Sequence, residues 1–440
     1  MTTRLAIDLL TREYPPYVYG GAGVHVEELS AVLRPLAHVR VRAFDGPRDS
    51  QAQANGVFGY SIPASLKGAN PALSTLGVDL EMAQDAAGAD IVHSHTWYAN
   101  MAGHLASLLH GIPHVISAHS LEPLRPWKAE QLGGGYAVSS WVERTAYLAA
   151  AGIIAVSQGM RQDILRCYPE IDPAKVHVVH NGIDLASWNR PLAGSHQADD
   201  AQATLQRLGI DPGRPSVVFV GRITRQKGLP YLLRACELLD PNVQIILCAG
   251  APDTPEIMAE VKDLVAGLRH KRRQAAGQAP ANADSTSTDT ATQAAADDAG
   301  VIWIEEMLPR PELIAVLAAG TAFLCPSVYE PLGIVNLEAM AVGLPVVATA
   351  TGGIPDVVVD GVTGTLVPLE QMQDGTGTPL DPEGFVRDLA QAITDMLADP
   401  DRAAAMGRAG RQRAEEHFSW DAIAQRTMEI YQSVIAQQAD

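Results

Sequence analysis

The chain has 440 residues and sets 32 Lys and Arg against 50 Asp and Glu, a formal charge of −18 with a pI near 5.1. That length predicts two or three domains, each able to bury its own core, and the acidic balance argues against nucleic acid or an anionic membrane as the main partner. Aromatic residues are only 5% while Gly (38) and Pro (29) are plentiful, which fits strands and helices alternating through tight turns, the pattern of doubly wound α/β domains.

An anionic small ligand is compatible with this charge, because backbone dipoles act locally. The cysteines Cys167, Cys236, Cys248 and Cys325 form no CxxC pair, and buried reduced thiols fit the cytoplasm. The N-terminal stretch lacks the apolar length and small-residue cleavage site of a signal peptide. No uncharged apolar run approaches the ~18 residues of a membrane span.

The first strand is expected over 5–10. A loop through Glu13 and Tyr19 then leads to Gly20-Gly21-Ala22-Gly23 and a helix over 24–33. Strand, glycine loop and helix is the layout of a phosphate cradle, since small residues admit a ligand to the backbone and the helix start offers free N–H groups. The GGxG spacing matches neither common phosphate-loop pattern, and a plain tight turn is the competing reading. A second strand follows over 39–44, and 50–75 carries no clear pattern.

A strand over 89–93 runs into His93-Ser94-His95-Thr96-Trp97, a helix covers 98–110, and a strand over 114–117 ends at His119. A long irregular segment with Arg125, Lys128 and Gly133-Gly134-Gly135 follows, and such loops are often functional. Then come a helix over 139–150, a strand over 152–156, Ser157 as an N-cap, and a strand over 176–179 ending in His180-Asn181-Gly182-Ile183-Asp184. The first domain is expected over 1–190, with a polar linker and short helix over 191–215.

The second domain is expected over 216–418. Strand 216–220 leads to Gly221-Arg222 and Lys227-Gly228, then a helix over 229–239, a strand over 243–248 and a helix over 254–273. Residues 275–300 are Ala, Thr, Ser, Asp and Gln, too polar to bury themselves, and predict a disordered excursion. A strand over 301–304, a helix over 311–319 and a buried strand over 321–325 precede Ser327 to Glu338. In that stretch Pro331 and Gly333 mark a tight turn and 334–342 a helix. A strand over 345–349 follows, and helices over 382–397, 401–417 and 420–438 close the chain.

Arg222 and Lys227 are five residues apart in a glycine-bordered turn. A guanidinium fork and an ammonium point charge suit a diphosphate; two solvated surface cations are the alternative. Glu330 and Glu338 suit sugar or ribose hydroxyls as strong acceptors. They also suit an acid–base pair, or a helix-start charge plus an exposed acid. His93-Ser94-His95 hints at a metal, but no third ligand has suitable spacing, so no metal is expected. The Asp pairs at 199–200 and 297–298 read as solvated, and no GxSxG elbow occurs.

Taken in order, Glu13-Tyr14-Pro15-Pro16, Gly20 to Gly23, His119, Asn181 to Asp184, Gly221-Arg222 with Lys227-Gly228, and Glu330-x7-Glu338 resemble a retaining glycosyltransferase of the GT-B fold. The segments 93–97 and 117–135 resemble its actinobacterial-type glycogen synthase branch, some of whose members make α-maltose 1-phosphate from ADP-glucose and glucose 1-phosphate. Tyr19 and Thr96, where the bacterial and plant synthases carry Lys and Asp, favour that branch.

The resemblance implies two Rossmann-like doubly wound domains facing across a cleft, with a C-terminal helix (419–440) crossing back to the first. Arg222 and Lys227 would hold the donor diphosphate and stabilise the leaving ADP, with no metal required. Glu330 would bond the donor sugar and Glu338 the ribose. The amides of Leu332, Gly333 and Ile334 would face phosphate and sugar, and His119 the anomeric region. Gly20, Gly21, Gly23, Asn181 and Gly221 would complete the donor site. Glu13, Tyr19, Arg125 and Lys128 would serve a glucose 1-phosphate or glucan acceptor. A homodimer is compatible with this reading. Direct glucan elongation, another nucleotide-sugar transferase with a small acceptor, and a nucleotide-sugar-binding regulator are the alternatives.

Overall fold

The computed structural model describes residues 4–18, 20–125, 129, 133–275, 299–372 and 376–439. The chain divides into two compact units. One comprises Met1–Gly182 with Phe418–Asp440, the other Ile183–His417. The low-complexity reading of 275–300 falls almost wholly outside the described residues. Among those described, no helix is long and apolar enough to cross a membrane.

The first unit is built on a parallel sheet of β1 (Ala6–Thr11), β2 (His38–Ala43), β3 (Val57–Gly59), β4 (Ile91–His95), β5 (His114–Ala118), β6 (Gly152–Ala155) and β7 (Val176–Val178). Its order is β3-β2-β1-β4-β5-β6-β7. Every residue of β4, β5 and β6 is buried, as expected where helices cover both faces of a parallel sheet. The order reverses between β1 and β4, and at such a switch point the connections diverge and leave a crevice at the carboxyl ends of the strands.

The second unit repeats this design with β8 (Ser216–Arg222), β9 (Gln244–Gly250), β10 (Val301–Ile304), β11 (Ala322–Cys325), β12 (Val346–Thr349) and β13 (Gly364–Val367). The order is β10-β9-β8-β11-β12-β13, so the switch lies between β8 and β11. Both are apolar runs, and β11 is buried throughout.

Helix Trp420–Ala439 belongs to the first unit although it ends the chain. Ile423, Ala424, Ile430, Tyr431 and Val434 enter one core with Ile7 and Val115 of the sheet. The Tyr431 hydroxyl, 0% exposed, reaches His93 Nδ1 at 2.6 Å.

Three local differences from the sequence reading have physical reasons. Helix Gly21–Leu33 starts inside the glycine run, so only Gly20 lies outside the helix, in extended backbone. Gly23 must be small because a Cβ there would come within 2.8 Å of Glu13 Cβ. The patternless stretch 50–75 holds a short helix, Ser50–Ala54, the edge strand β3, and the start of helix Pro71–Asp85. The three-residue β3 is too short to show a period. The long helix did carry a start signal, Asn70 capping Ala72 N at 2.9 Å with Pro71 next. Helix Gly135–Ala149 begins four residues earlier than expected, taking Gly135 into its first turn.

The same helix buries a carboxyl group. Glu143 is 1% exposed, and its Oε1 accepts the Glu122 backbone N–H at 2.9 Å and the Tyr168 hydroxyl at 2.5 Å. Burial, and then the charge of Glu122, push its pKa up to about 8. The folded state therefore holds a proton that the unfolded chain releases near the ordinary carboxylate value, and stability falls as pH rises between those two values. Glu143→Gln removes this titration. Urea melts from pH 5 to pH 8 are expected to show the variant gaining on the parent by on the order of 1 kcal/mol per pH unit; parallel curves would refute the buried proton.

Candidate active site

At the β8–β11 switch the two turns touch. Gly228, at φ 64°, is the closest point: a Cβ there would lie 2.0 Å from the Pro326 carbonyl oxygen. Val328 N donates to Gln226 O at 2.9 Å. This contact brings Lys227, from the β8 turn, onto Glu330, from the β11 turn. Lys227 Nζ lies 2.6 Å from Glu330 Oε2, and Ser327 Oγ donates to the same oxygen at 3.0 Å. Neither bond uses Glu330 Oε1.

The turn after β12 holds Glu330 from behind. Gly353 N donates to Glu330 O at 2.8 Å. Gly352, at φ 55°, leaves room for it, since a Cβ there would fall 2.0 Å from that oxygen. Gly333, at φ 92°, ends the turn and opens helix Ile334–Ala341. The first N–H groups of that helix have no intrahelical partner and, with the helix dipole, favour an anion. Leu332, Gly333 and Ile334 occupy this position.

Burial pushes the Lys227 pKa down, and the adjacent Glu330 charge outweighs it, so the ammonium is held above its ordinary value. Burial pushes Glu338 up to about 7, partly opposed by Arg310 and Lys227. Arg222, half exposed, pairs with Asp253 at 2.7 Å, and Arg225 lies 3.8 Å from Glu260. Each cation of this turn thus has a carboxylate beside it, a partner that the local sequence does not show.

The first unit collects imidazoles at its own switch. His25 comes from the first turn of helix Gly21–Leu33, His95 from the end of β4 and His119 from the loop after β5. Ring centroids are 4.7 Å apart for His25–His119, 5.3 Å for His95–His119 and 5.4 Å for His25–His95. His95 Nδ1 and His119 Nε2 are 3.0 Å apart. Burial lowers the pKa of His119 to about 4, so at neutral pH it is an uncharged hydrogen-bonding group. Asn181, buried after β7, acts on His25.

The expected residues thus form two groups. Gly221, Arg222, Lys227, Glu330, Leu332, Gly333, Ile334 and Glu338 surround the second switch. His119 and Asn181 share His25 as a neighbour at the first, where Gly20, Gly21 and Gly23 lie against Glu13 or in the helical turn that carries His25. Arg125 donates to Ser120 Oγ at 3.1 Å. Tyr19 and Lys128 lie outside the described residues.

Five residues near these groups carry no site role in the sequence reading. Ser327 and Asn336 flank the Glu330 turn, and Asn336 is 0% exposed with neither amide atom hydrogen-bonded. Arg310 acts on Glu338. His25 is one of 13 histidines and has no motif of its own. Thr96, a β-branched residue at φ 64° next to His95, is in a strained conformation of the kind that clusters at functional sites.

Comparison with known proteins adds to this geometry. The family model of Glycosyltransferase Family 4 matches residues 19–187, and that of Glycosyl transferases group 1 matches 200–413. An α-maltose-1-phosphate synthase of Mycolicibacterium smegmatis is 51% identical over 98% of this chain and 100% of its own.

This chain belongs to the GT-B glycosyltransferases.

A second α-maltose-1-phosphate synthase, of Mycobacterium tuberculosis, is 50% identical over 98% of this chain and 100% of its own. Among solved structures, a sucrose-phosphate synthase from Thermosynechococcus elongatus shares the fold, with a TM-score of 0.74 at 22% identity, covering 99% of this chain and 100% of the other. The two-sheet architecture of this glycosyltransferase and its closing helix are those of the GT-B fold.

The Glu330 turn yields a direct test. Gly352→Ala combines a positive φ with a backbone collision, whereas Gly361→Ala has φ 72° and nothing within 4 Å of the new Cβ. Thermal melts are expected to show a loss of about 1 kcal/mol for Gly361→Ala and roughly 2 kcal/mol more for Gly352→Ala. Equal losses would show that the turn does not need the close approach to Glu330.

Proposed function

We propose that this glycosyltransferase transfers α-D-glucose from ADP-glucose to glucose 1-phosphate with retention, as an α-maltose-1-phosphate synthase. The bonded Lys227–Glu330 pair at the start of helix Ile334–Ala341 carries the reading, and the name of the relatives near 50% identity supports the acceptor.

Lys227 has three N–H donors and uses one on Glu330, leaving two for the departing diphosphate. Arg222 adds a second cation. The amides of Leu332, Gly333 and Ile334 meet phosphate and sugar, with Gly221 beside them. Glu330 Oε1 accepts from the sugar hydroxyls. Glu338, with a pKa near 7, accepts from the ribose once ionised. Gly20, Gly21, Gly23 and Asn181 complete donor binding.

In the reaction the bond from sugar C1 to the ADP oxygen breaks and a bond from C1 to an acceptor hydroxyl oxygen forms on the same face. The acceptor proton passes to the leaving phosphate. Lys227 and Arg222 stabilise the negative charge that builds there, and catalysis of this kind acts mainly through preorganised electrostatics. A metal has no required role in this scheme. His119, neutral at working pH, positions the transferred sugar by hydrogen bonding.

Glu13, Tyr19, Arg125 and Lys128 are assigned to the acceptor. Arg125 supports this with a buried Nε–H that has no hydrogen bond, a donor suited to a phosphate. Four free cysteines fit a cytoplasmic setting.

Product analysis by mass spectrometry tests the proposal. The protein is incubated with ADP-glucose or UDP-glucose, each with glucose 1-phosphate, with glycogen, or with neither. A disaccharide phosphate formed from ADP-glucose only when glucose 1-phosphate is present is the expected result. Glycogen elongation without the disaccharide phosphate, or equal use of UDP-glucose, would overturn it.

A further inference from the structure

The histidine cluster of the first unit has more nitrogen donors than the glycosyl transfer uses. One ring nitrogen of each of His25, His95 and His119 lies within 4.8 Å of the other two. The three come from a helix start, a strand end and a loop, so their meeting is a product of the fold and not of spacing.

His95 Nε2 is buried with no hydrogen-bond partner, and neither nitrogen of His25, a residue 4% exposed, is in a hydrogen bond of good geometry. Buried imidazole nitrogens are normally satisfied, and leaving them unpaired costs free energy. His93 differs: its Nδ1 reaches Tyr431 Oη at 2.6 Å and its Nε2 reaches Ser117 Oγ at 2.8 Å. With both nitrogens occupied, His93 serves as a wall, its ring 4.2 Å from that of His95.

We propose that His25, His95 and His119 form a binding site for a divalent transition-metal ion of the zinc type, and that the bound ion blocks turnover by taking His119. Tetrahedral zinc at about 2.0–2.1 Å from each nitrogen sets its ligand nitrogens about 3.4 Å apart. The His95 Nδ1–His119 Nε2 pair is already at 3.0 Å and would exchange its hydrogen bond for the ion, and separations of up to 4.8 Å close by about 1.4 Å of ring movement. A donor set of three nitrogens and no carboxylate selects zinc, nickel or copper over magnesium or calcium. His119 is only half-buried, which gives an ion an approach and leaves a fourth position for solvent.

The binding stands on geometry alone, whereas the block of turnover rests on the role proposed for His119. The test uses the full-length protein, dialysed against a chelator. It is titrated with Zn(II), with Co(II) as a spectroscopic probe and with Mg(II) as the control. One equivalent of Zn(II) is expected to bind at micromolar concentration or below. Co(II) should give the visible absorption of a four-coordinate site. Turnover should fall with the binding midpoint, and Mg(II) should do neither.

His25→Gln and His95→Gln should each weaken Co(II) binding by at least about tenfold, the size of effect that loss of even an outer-shell partner produces. Should either variant fail to fold, zinc X-ray absorption on the unmodified protein reads the same ligands, with three imidazole nitrogens expected. Absence of binding at micromolar zinc, binding unaffected by both substitutions, or fewer than two imidazoles in the zinc shell would overturn the site. Stoichiometric binding through the three histidines with undiminished turnover would uphold the site and overturn the role given to His119.

Discussion

A partly buried cation, Lys227, and a buried carboxylate, Glu330, hold the two central turns of the second sheet together. Taking two charges out of water is costly, and their attraction repays it only when geometry is good and further hydrogen bonds satisfy them. Both conditions are met: the contact is 2.6 Å, and Ser327 adds a second donor to the same oxygen. Removing one partner of such a pair typically costs about 3–5 kcal/mol, because it strands the other charge. The glycines follow from this need. Gly228 and Gly352 let three backbone turns approach until the side chains meet, which no residue with a Cβ would permit there.

The two units solve one topological problem with different chemistry. Each has a parallel sheet whose order reverses in the middle, and each concentrates polar side chains at that reversal. The second unit places charge there: Lys227, Glu330, Arg222 and Glu338 beside a helix start. The first places neutral imidazoles, His25, His95 and His119, held down by burial. In the proposed reaction the charged site stabilises the departing diphosphate, and the neutral one orients the sugar without binding anions unselectively. A metal-binding capacity would be a by-product of packing imidazoles this closely.

Much of this was legible in the chain. Apolar runs such as Val217–Phe219 and Phe323–Cys325 could only be buried parallel strands, and the glycine-bordered turns after them marked the carboxyl ends where ligands sit. The order of motifs from Glu13 to Glu338 carried the family. What stayed hidden depends on contacts distant in sequence. The carboxylate partners of Arg222 and Arg225 lie on other segments, and the raised pKa of Glu338 comes from burial that no local pattern reveals. His25 acquires its meaning only when its helix is laid against β4. The edge strand β3 is too short to show a period, while the helix start at Asn70-Pro71 carries a readable capping signal.

The central claim is that Glu330 serves the sugar while Lys227 serves the diphosphate, although the two are bonded to each other. Calorimetric affinities of Glu330→Gln for ADP and for ADP-glucose test it most directly, because Gln keeps an acceptor for Lys227 and loses only the charge. The account predicts that ADP-glucose affinity falls about tenfold or more while ADP affinity changes little. Equal losses for both ligands, or no loss for either, would contradict it.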